Sequence, residues 1–275
     1  MPPLISVHVL LHGDYPELAE RCLGSIQQTL DPSVAGEVCV GMNAVSPAAE
    51  RVALRVLSGV SVPVFLYAEK DFRNVLKYPL MRRMFYDTKY RDHTLPYVMW
   101  FDDDSYVHPG RRGWWADVAS MCAEHTLVGS TYRQRLRGSQ HLGIMAQPWY
   151  GGKPVRPGHA ALFCQGGWWV ARLADLKELD YPFLDLRHNG GDSLLGEAYR
   201  QKGWTITRFK RGVSINADAR GKESAAERRG VTTRWPWERW PETPDHSHHD
   251  FEAYCFRVNN RAGMASLSWG KVDGV

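Results

Sequence analysis

The stretch Tyr97-Val98-Met99-Trp100-Phe101-Asp102-Asp103-Asp104 runs an apolar segment straight into three consecutive carboxylates. The apolar part, Pro96 to Phe101, reads as a buried strand. In an open α/β sheet, ligands bind beyond the carboxyl ends of the strands, and the three acids lie at such an end. Adjacent like charges repel unless a cation or a basic ligand neutralises them. Mg²⁺ and Mn²⁺ prefer carboxylate oxygen and keep positions open for substrate phosphates, so a divalent-metal site is one reading. An acidic turn leading into a helix after Pro109 is the other.

Upstream of this strand the chain alternates regularly. Leu4–Leu11 (LISVHVLL) predicts a buried strand. In Pro16–Leu30, Leu18, Cys22, Ile26 and Leu30 recur at four-residue steps behind a proline, the signature of a helix with one apolar face. Glu37–Met42 and Val62–Tyr67 predict strands, and Pro47–Leu57 and Val75–Tyr90 predict helices. This βαβαβαβ order argues for a mostly parallel central sheet flanked by helices on both faces. Downstream, Gly, Pro and aromatic residues crowd Gly138–Trp169, which reads as loops and short strands. Helices are expected at Ala171–Leu179 and Asp192–Lys202, with a strand near Trp204–Phe209. The last sixty or so positions, with RRGVTTRWPWERWPETP, carry little periodicity and read as an adaptable cover. No internal repeat is present. The expectation is one α/β domain over residues 1–275, with 1–105 as one half and a loop-rich 106–275 as the other.

Composition excludes several classes. Of the 275 residues, 44% are hydrophobic and 23% charged. Globular averages are roughly 45–50% and about 25%, so a disordered, collagenous or coiled-coil chain is ruled out. No apolar run approaches the roughly 18 residues of a membrane span, and no basic segment precedes the first one, so neither a span nor a signal peptide is expected. Cys22, Cys39, Cys122, Cys164 and Cys255 are widely spaced with no C-x-x-C pair, which reads as free thiols in a reducing, cytoplasmic setting. The net charge of +4 is unevenly spread. No acid lies between Glu124 and Asp175, where Arg133, Arg135, Arg137, Lys153, Arg156 and Arg172 are interleaved with Tyr132, Trp149, Tyr150, Phe163, Trp168 and Trp169.

Taken together, ISVHVLLHGDYPELAERCLGSI, WFDDDSYVHPG and HNGGDSLLGEAYRQKGW resemble, in order and spacing over about residues 4–210, the family-2-like glycosyltransferases of the GT-A fold. The resemblance implies a GT-A, Rossmann-like domain whose residues 1–105 bind a nucleotide sugar and whose residues 106–275 face the acceptor. It places Asp102 and Asp104 on the D-x-D pair that holds Mn²⁺ or Mg²⁺, with Asp103 beside the donor. Asp192 falls on the catalytic-base position, although Gly191 replaces the usual preceding Glu. Asn43 stands where an acid usually holds the nucleotide base, and an amide there can hydrogen-bond a uracil edge. Lys77 falls near the sugar nucleotide, as do His12 and Asp14 at the end of the first strand. His246 or His248 matches the C-terminal metal or diphosphate ligand of such enzymes; a solvated polar turn is the competing reading. Gly167, Trp168 and Trp169, with Arg133, fall on the acceptor side.

From the residues themselves, Asp192 suits either a general base behind Asn189-Gly190-Gly191 or a plain helix cap. The basic tracts, including Arg208–Arg239, suit a polyanionic acceptor or a solvated face. The resulting expectation is a metal-dependent, inverting hexosyltransferase using a UDP-sugar and acting without a membrane or obligate protein partner. Its expected acceptor is DNA carrying 5-hydroxymethylcytosine or a related hydroxymethylated base, as in bacteriophage enzymes working in the host cytoplasm. A glycan, lipid-linked sugar or protein acceptor is the alternative. A metal-dependent nuclease or phosphotransferase and a non-catalytic nucleic-acid-binding module are readings from other classes.

Overall fold

The computed structural model describes residues 4–69, 77–86, 91, 94–136, 140–183, 191–215 and 253–258. The chain begins with strand β1 (Ile5–His12), helix α1 (Pro16–Thr29), β2 (Ala35–Asn43), α2 (Pro47–Leu57), β3 (Val64–Glu69), α3 (Lys77–Tyr86) and β4 (Tyr97–Asp102). The order follows the sequence reading to within a few residues. Helices α1 and α2 carry their own start signals. Pro16 opens α1 with Glu17 in its first turn, and Ser46 caps α2 by accepting from the Ala49 N–H at 3.2 Å ahead of Pro47. Leu18, Cys22 and Ile26 of α1 are all buried, as the four-residue spacing requires.

The second half continues with β5 (Tyr106–Val107), α4 (Trp114–Met121), β6 (Thr126–Arg135), α5 (Gln140–Met145), β7 (Ala160–Arg172), α6 (Leu173–Glu178), α7 (Gly191–Lys202), β8 (Thr205–Arg208), β9 (Val213–Ser214) and β10 (Ala253–Val258). Here the expectation of loops and short strands over Gly138–Trp169 needs correction. Most of β7, the longest strand among the described residues, lies inside that stretch. Its glycines and aromatics read as loop chemistry locally, but the aromatics are core side chains and tertiary pairing holds the backbone extended.

Eight strands form one sheet in the order β10-β3-β2-β1-β4-β7-β6-β8. Strands β3, β2, β1 and β4 run parallel, and β7 enters antiparallel beside β4. The same sheet therefore crosses both halves of the chain. The C-terminal cover expected from sequence contains a strand, β10, which pairs antiparallel with β3.

Two apolar clusters sandwich the sheet. One holds Val7, Val9, Cys22, Ile26, Val40, Phe101 and Trp168 beneath α1, α2 and α4. The other holds Leu10, Met84, Phe85, Trp100, Trp169, Leu194 and Tyr199 beneath α3 and α7. Trp168 and Trp169 are 0% and 1% exposed and point to opposite faces, as successive residues of a strand must. Trp168 packs on Phe101 and Trp114, and Trp169 stacks on Trp100 at 6.3 Å. Gly167 is buried with them. The expectation that this trio lines an acceptor pocket is corrected: they are the core of β7. Cys22, Cys39, Cys122 and Cys164 are free thiols. Among the described residues no helix is long and apolar enough to cross a membrane.

Candidate active site

Strand order reverses between β1 and β4: from β1 the chain proceeds outward through β2 and β3, then returns to the other side of β1. Such a switch point leaves a crevice beyond the carboxyl ends of the two strands. The ends of β1, β2 and β4 converge there, since His12 pairs in register with Asn43 and Leu10 with Asp102. One acid of the triplet links two of these ends. The backbone N–H of His12 donates to Asp103 Oδ2 at 2.9 Å, tying β1 to the turn after β4. Asp103 and Asp104 are 2% and 8% exposed.

Asp102 is held by two side chains. Lys77 Nζ, at the first residue of α3, donates to both its oxygens at 2.7 and 2.8 Å, and Trp100 Nε1 donates at 3.0 Å. Both partners of the ion pair are largely withdrawn from solvent, with side chains 12% and 17% exposed. At such a site a carboxylate without its counter-ion is costly.

Asp192 lies in the first turn of α7, where the exposed N–H groups favour a negative charge. Its Oδ1 accepts from the N–H of the next residue, Ser193, at 2.9 Å, and Asp192 is the second residue of the helix rather than its cap. Its Oδ2 faces Gly166 of β7, where an added Cβ would lie 3.4 Å away. Burial pushes the Asp192 carboxyl above the usual aspartate range. The Ser193 N–H and the Lys77 ammonium pull it down, the Asp102 charge pushes it up, and the Gly166 backbone pulls it down. Lys77, Asp102 and Asp192 therefore form one electrostatic unit.

Tyr78, the residue after Lys77, joins this unit and carried no sequence signal. Its hydroxyl accepts from the Gly191 N–H at 3.1 Å, anchoring the start of α7. Burial raises its pKa well above the ordinary phenol value, with the charges of Asp192 and Asp102 adding to the rise. A Cβ on residue 191 would sit 2.3–2.5 Å from the Tyr78 ring and hydroxyl. Glycine at 191, where a Glu is usual in the resembled family, is thus a steric requirement of Tyr78.

The remaining expected donor residues lie at the other lip. Asn43 is buried, and its Oδ1 has no hydrogen-bond partner among the described residues. His12 Nδ1 meets the Asn43 carbonyl oxygen at 3.1 Å, while exposed Asp14 accepts from Ser46 Oγ at 2.5 Å. Arg133 lies on β6, exposed and apart from the cluster. His246 and His248 lie outside the described residues. Among the described residues, no group of three or more His, Cys, Asp or Glu side chains is disposed to hold a metal ion. The donors at the end of β4 are nevertheless carboxylate oxygens, and a Mg²⁺-type ion needs only one or two of these when substrate phosphates complete its shell.

The fold is a mostly parallel α/β sheet flanked by helices, and it is shared with a solved glycosyltransferase. A mannosyltransferase from Pyrobaculum calidifontis, PcManGT, solved with GDP-Man and Mn²⁺, superposes with a TM-score of 0.55 over 84% of this chain at 15% identity. This chain spans 61% of that protein's length. Two structures of S. aureus TarS match 76% of the chain with TM-scores of 0.48 and 0.47, at 14% and 16% identity, and the match covers 36% and 58% of their lengths. No family model matches the sequence, and no curated protein matches it.

Proposed function

We propose that the protein is an inverting glycosyltransferase that moves a hexose from a nucleotide sugar, a UDP-sugar by our reading, to an acceptor hydroxyl. The acceptor we assign is 5-hydroxymethylcytosine or a related hydroxymethylated base in DNA. One observation carries the transferase reading: Lys77, Asp102 and Asp192 meet at the carboxyl-end crevice of a glycosyltransferase fold. The neighbour solved with GDP-Man and Mn²⁺ supports a nucleotide-sugar donor and a divalent ion. The absence of acids from His125 to Ala174 supports a polyanionic acceptor.

In this mechanism the Asp192 carboxylate takes the proton of the acceptor hydroxyl. The acceptor oxygen attacks the anomeric carbon from the face opposite the departing diphosphate, so one C–O bond forms as the other breaks and the configuration inverts. A raised pKa makes Asp192 a stronger base than an ordinary aspartate. Lys77 holds Asp102 in place and tempers the negative charge that donor phosphates must approach. The buried Asn43 Oδ1 is an acceptor for an N–H of the nucleotide base. Asp104, with Asp102, would hold Mn²⁺ or Mg²⁺, whose contribution when bound is to neutralise charge on the leaving diphosphate.

The direct test is mass spectrometry of nucleosides from 5-hydroxymethylcytosine DNA incubated with the protein, Mn²⁺ and a panel of UDP- and GDP-sugars. A hexose-shifted nucleoside is expected, and it also identifies the sugar. Metal-dependent hydrolysis of one sugar nucleotide without modified DNA would retain the transferase and discard the DNA acceptor. Asp192→Asn is expected to lower turnover by orders of magnitude while nucleotide binding persists; a fully active variant would remove the base assignment. Asp104→Ala is expected to abolish the Mn²⁺-dependent part of nucleotide binding in calorimetry.

A further inference from the structure

Strands β6 and β7 do not stop where the rest of the sheet stops. β7 runs antiparallel to β4, and their pairing ends at Phe101 with Trp168, so residues 160–167 project past the carboxyl end of β4 on the crevice side. β6 follows them: Thr131, Arg133 and Arg135 pair with Cys164, Leu162 and Ala160. The Leu136 N–H and carbonyl then bond the His159 carbonyl and the Gly158 N–H, which closes the ribbon at its tip. β8 covers only Thr126–Gly129 of β6, so among the described residues the outer edge from Thr131 onward has no strand partner.

This edge is positively charged. Tyr132, Arg133, Gln134 and Arg135 are all exposed, and Tyr132, at 57%, leans edge-on against Phe163. Arg133 and Arg135 share a face by the two-residue period of a strand, and exposed Arg156 lies in the loop at the tip. Glu197 of α7 reaches this region through His159 at 3.5 Å, but it is fully buried and bound by Arg200 at 2.7 Å. Charges of either sign would protect an edge strand from unwanted pairing. Only cations occur here, within a stretch that contains no acid from His125 to Ala174.

We infer that the β6–β7 ribbon is the surface on which duplex DNA docks, with Arg133 and Arg135 contacting successive phosphates of one strand. The inference rests on the DNA-acceptor reading and adds to it the surface that binds the backbone. Distance along the ribbon fits the task. Gly166 lies against Asp192, and Arg133 and Arg135 pair with residues four and six positions before it, roughly 13 and 20 Å away at about 3.3 Å per residue. Backbone contacts at that range orient a duplex while an extruded base reaches the crevice.

The test compares the wild type, Arg133→Ala/Arg135→Ala, and a control, Arg51→Ala/Arg55→Ala, which removes equal charge from α2. Binding to a fluorescent duplex containing 5-hydroxymethylcytosine is followed by anisotropy as a function of salt, beside hydrolysis of the sugar nucleotide. Each lost phosphate contact flattens the slope of log K against log salt by about 0.9. The ribbon variant is therefore expected to lose close to two units of slope and at least tenfold in affinity at low salt, with hydrolysis unchanged. The control is expected to match the wild type. Duplex binding by the ribbon variant equal to the wild type overturns the ribbon assignment and leaves the DNA reading standing. Wild-type protein that hydrolyses donor but binds no duplex overturns both. A ribbon-dependent affinity for dextran sulfate without affinity for the duplex transfers the surface to an anionic glycan and likewise overturns the proposal.

Discussion

Gly191→Ala is a one-methyl change whose consequences follow from the contact between α3 and α7. The new Cβ would lie 2.3, 2.4 and 2.5 Å from Cζ, the hydroxyl oxygen and Cε1 of Tyr78, whereas ordinary contact begins near 3.4 Å. Something must move by about 1 Å. Tyr78 is 4% exposed and packs edge-on against the fully buried Tyr181 ring, so its ring has nowhere to swing. The start of α7 moves instead. Overpacking of this kind costs about 1–3 kcal/mol, and loss of the Gly191 N–H to Tyr78 hydroxyl bond adds about 1 kcal/mol. A total of about 2–4 kcal/mol corresponds to a fall in Tm of roughly 4–16 °C for a chain of this size. Asp192 is carried on the displaced turn, and a misplacement of about 1 Å in a reacting group costs on the order of 100-fold in rate. Thermal melts and sugar-nucleotide turnover read the two effects separately. Tyr78→Ala/Gly191→Ala is expected to lose the added penalty of the Gly191 change, because the obstructing ring is gone. Wild-type stability and turnover in Gly191→Ala, or an undiminished penalty in the Tyr78→Ala background, would refute the steric argument.

Other predictions follow from the enclosed charges. Because the Asp192 pKa is raised on folding, its stability contribution is fully present below the unfolded aspartate value and is lost as pH rises through the folded value. Asp192→Asn is therefore expected to be more stable than the wild type at neutral pH, with the difference shrinking in acid, as urea titrations across pH will read. The rising limb of the turnover–pH profile is expected above the range of an ordinary aspartate. Lys77→Met leaves the largely enclosed Asp102 without its counter-ion and is expected to cost about 3 kcal/mol; pairing it with Asp102→Asn is expected to restore much of that loss in a double-mutant cycle. At the opposite end of β1 and β2, Arg91 binds Glu37 at 3.1 Å with side chains 2% and 10% exposed. Arg91→Met is expected to destabilise by about 3–5 kcal/mol in urea unfolding without altering nucleotide affinity, since it lies far along the strands from the crevice.

Local pattern determined much of this protein. The βα alternation through residue 101, the four-residue apolar spacing of α1, the Ser46-Pro47 start of α2 and the triple aspartate at the end of β4 each rest on neighbours in sequence, and each stands in the fold near its expected position. Their physics is short-range: strand and helix periods, capping and strand-end geometry act within a few residues. Only the tertiary structure decided the rest. The resemblance puts Trp168 and Trp169 on the acceptor side, yet pairing of β7 with β4 and β6 extends them into a strand and buries one on each face. Asp102 reads as a bare acid in sequence, but 25 residues separate it from the lysine that neutralises it. The glycine before Asp192 reads as a departure until Tyr78, 113 positions earlier, is seen to occupy the space its side chain would need. Which charges meet and which volumes are already filled depend on contacts between distant segments, and a single sequence carries no local trace of them.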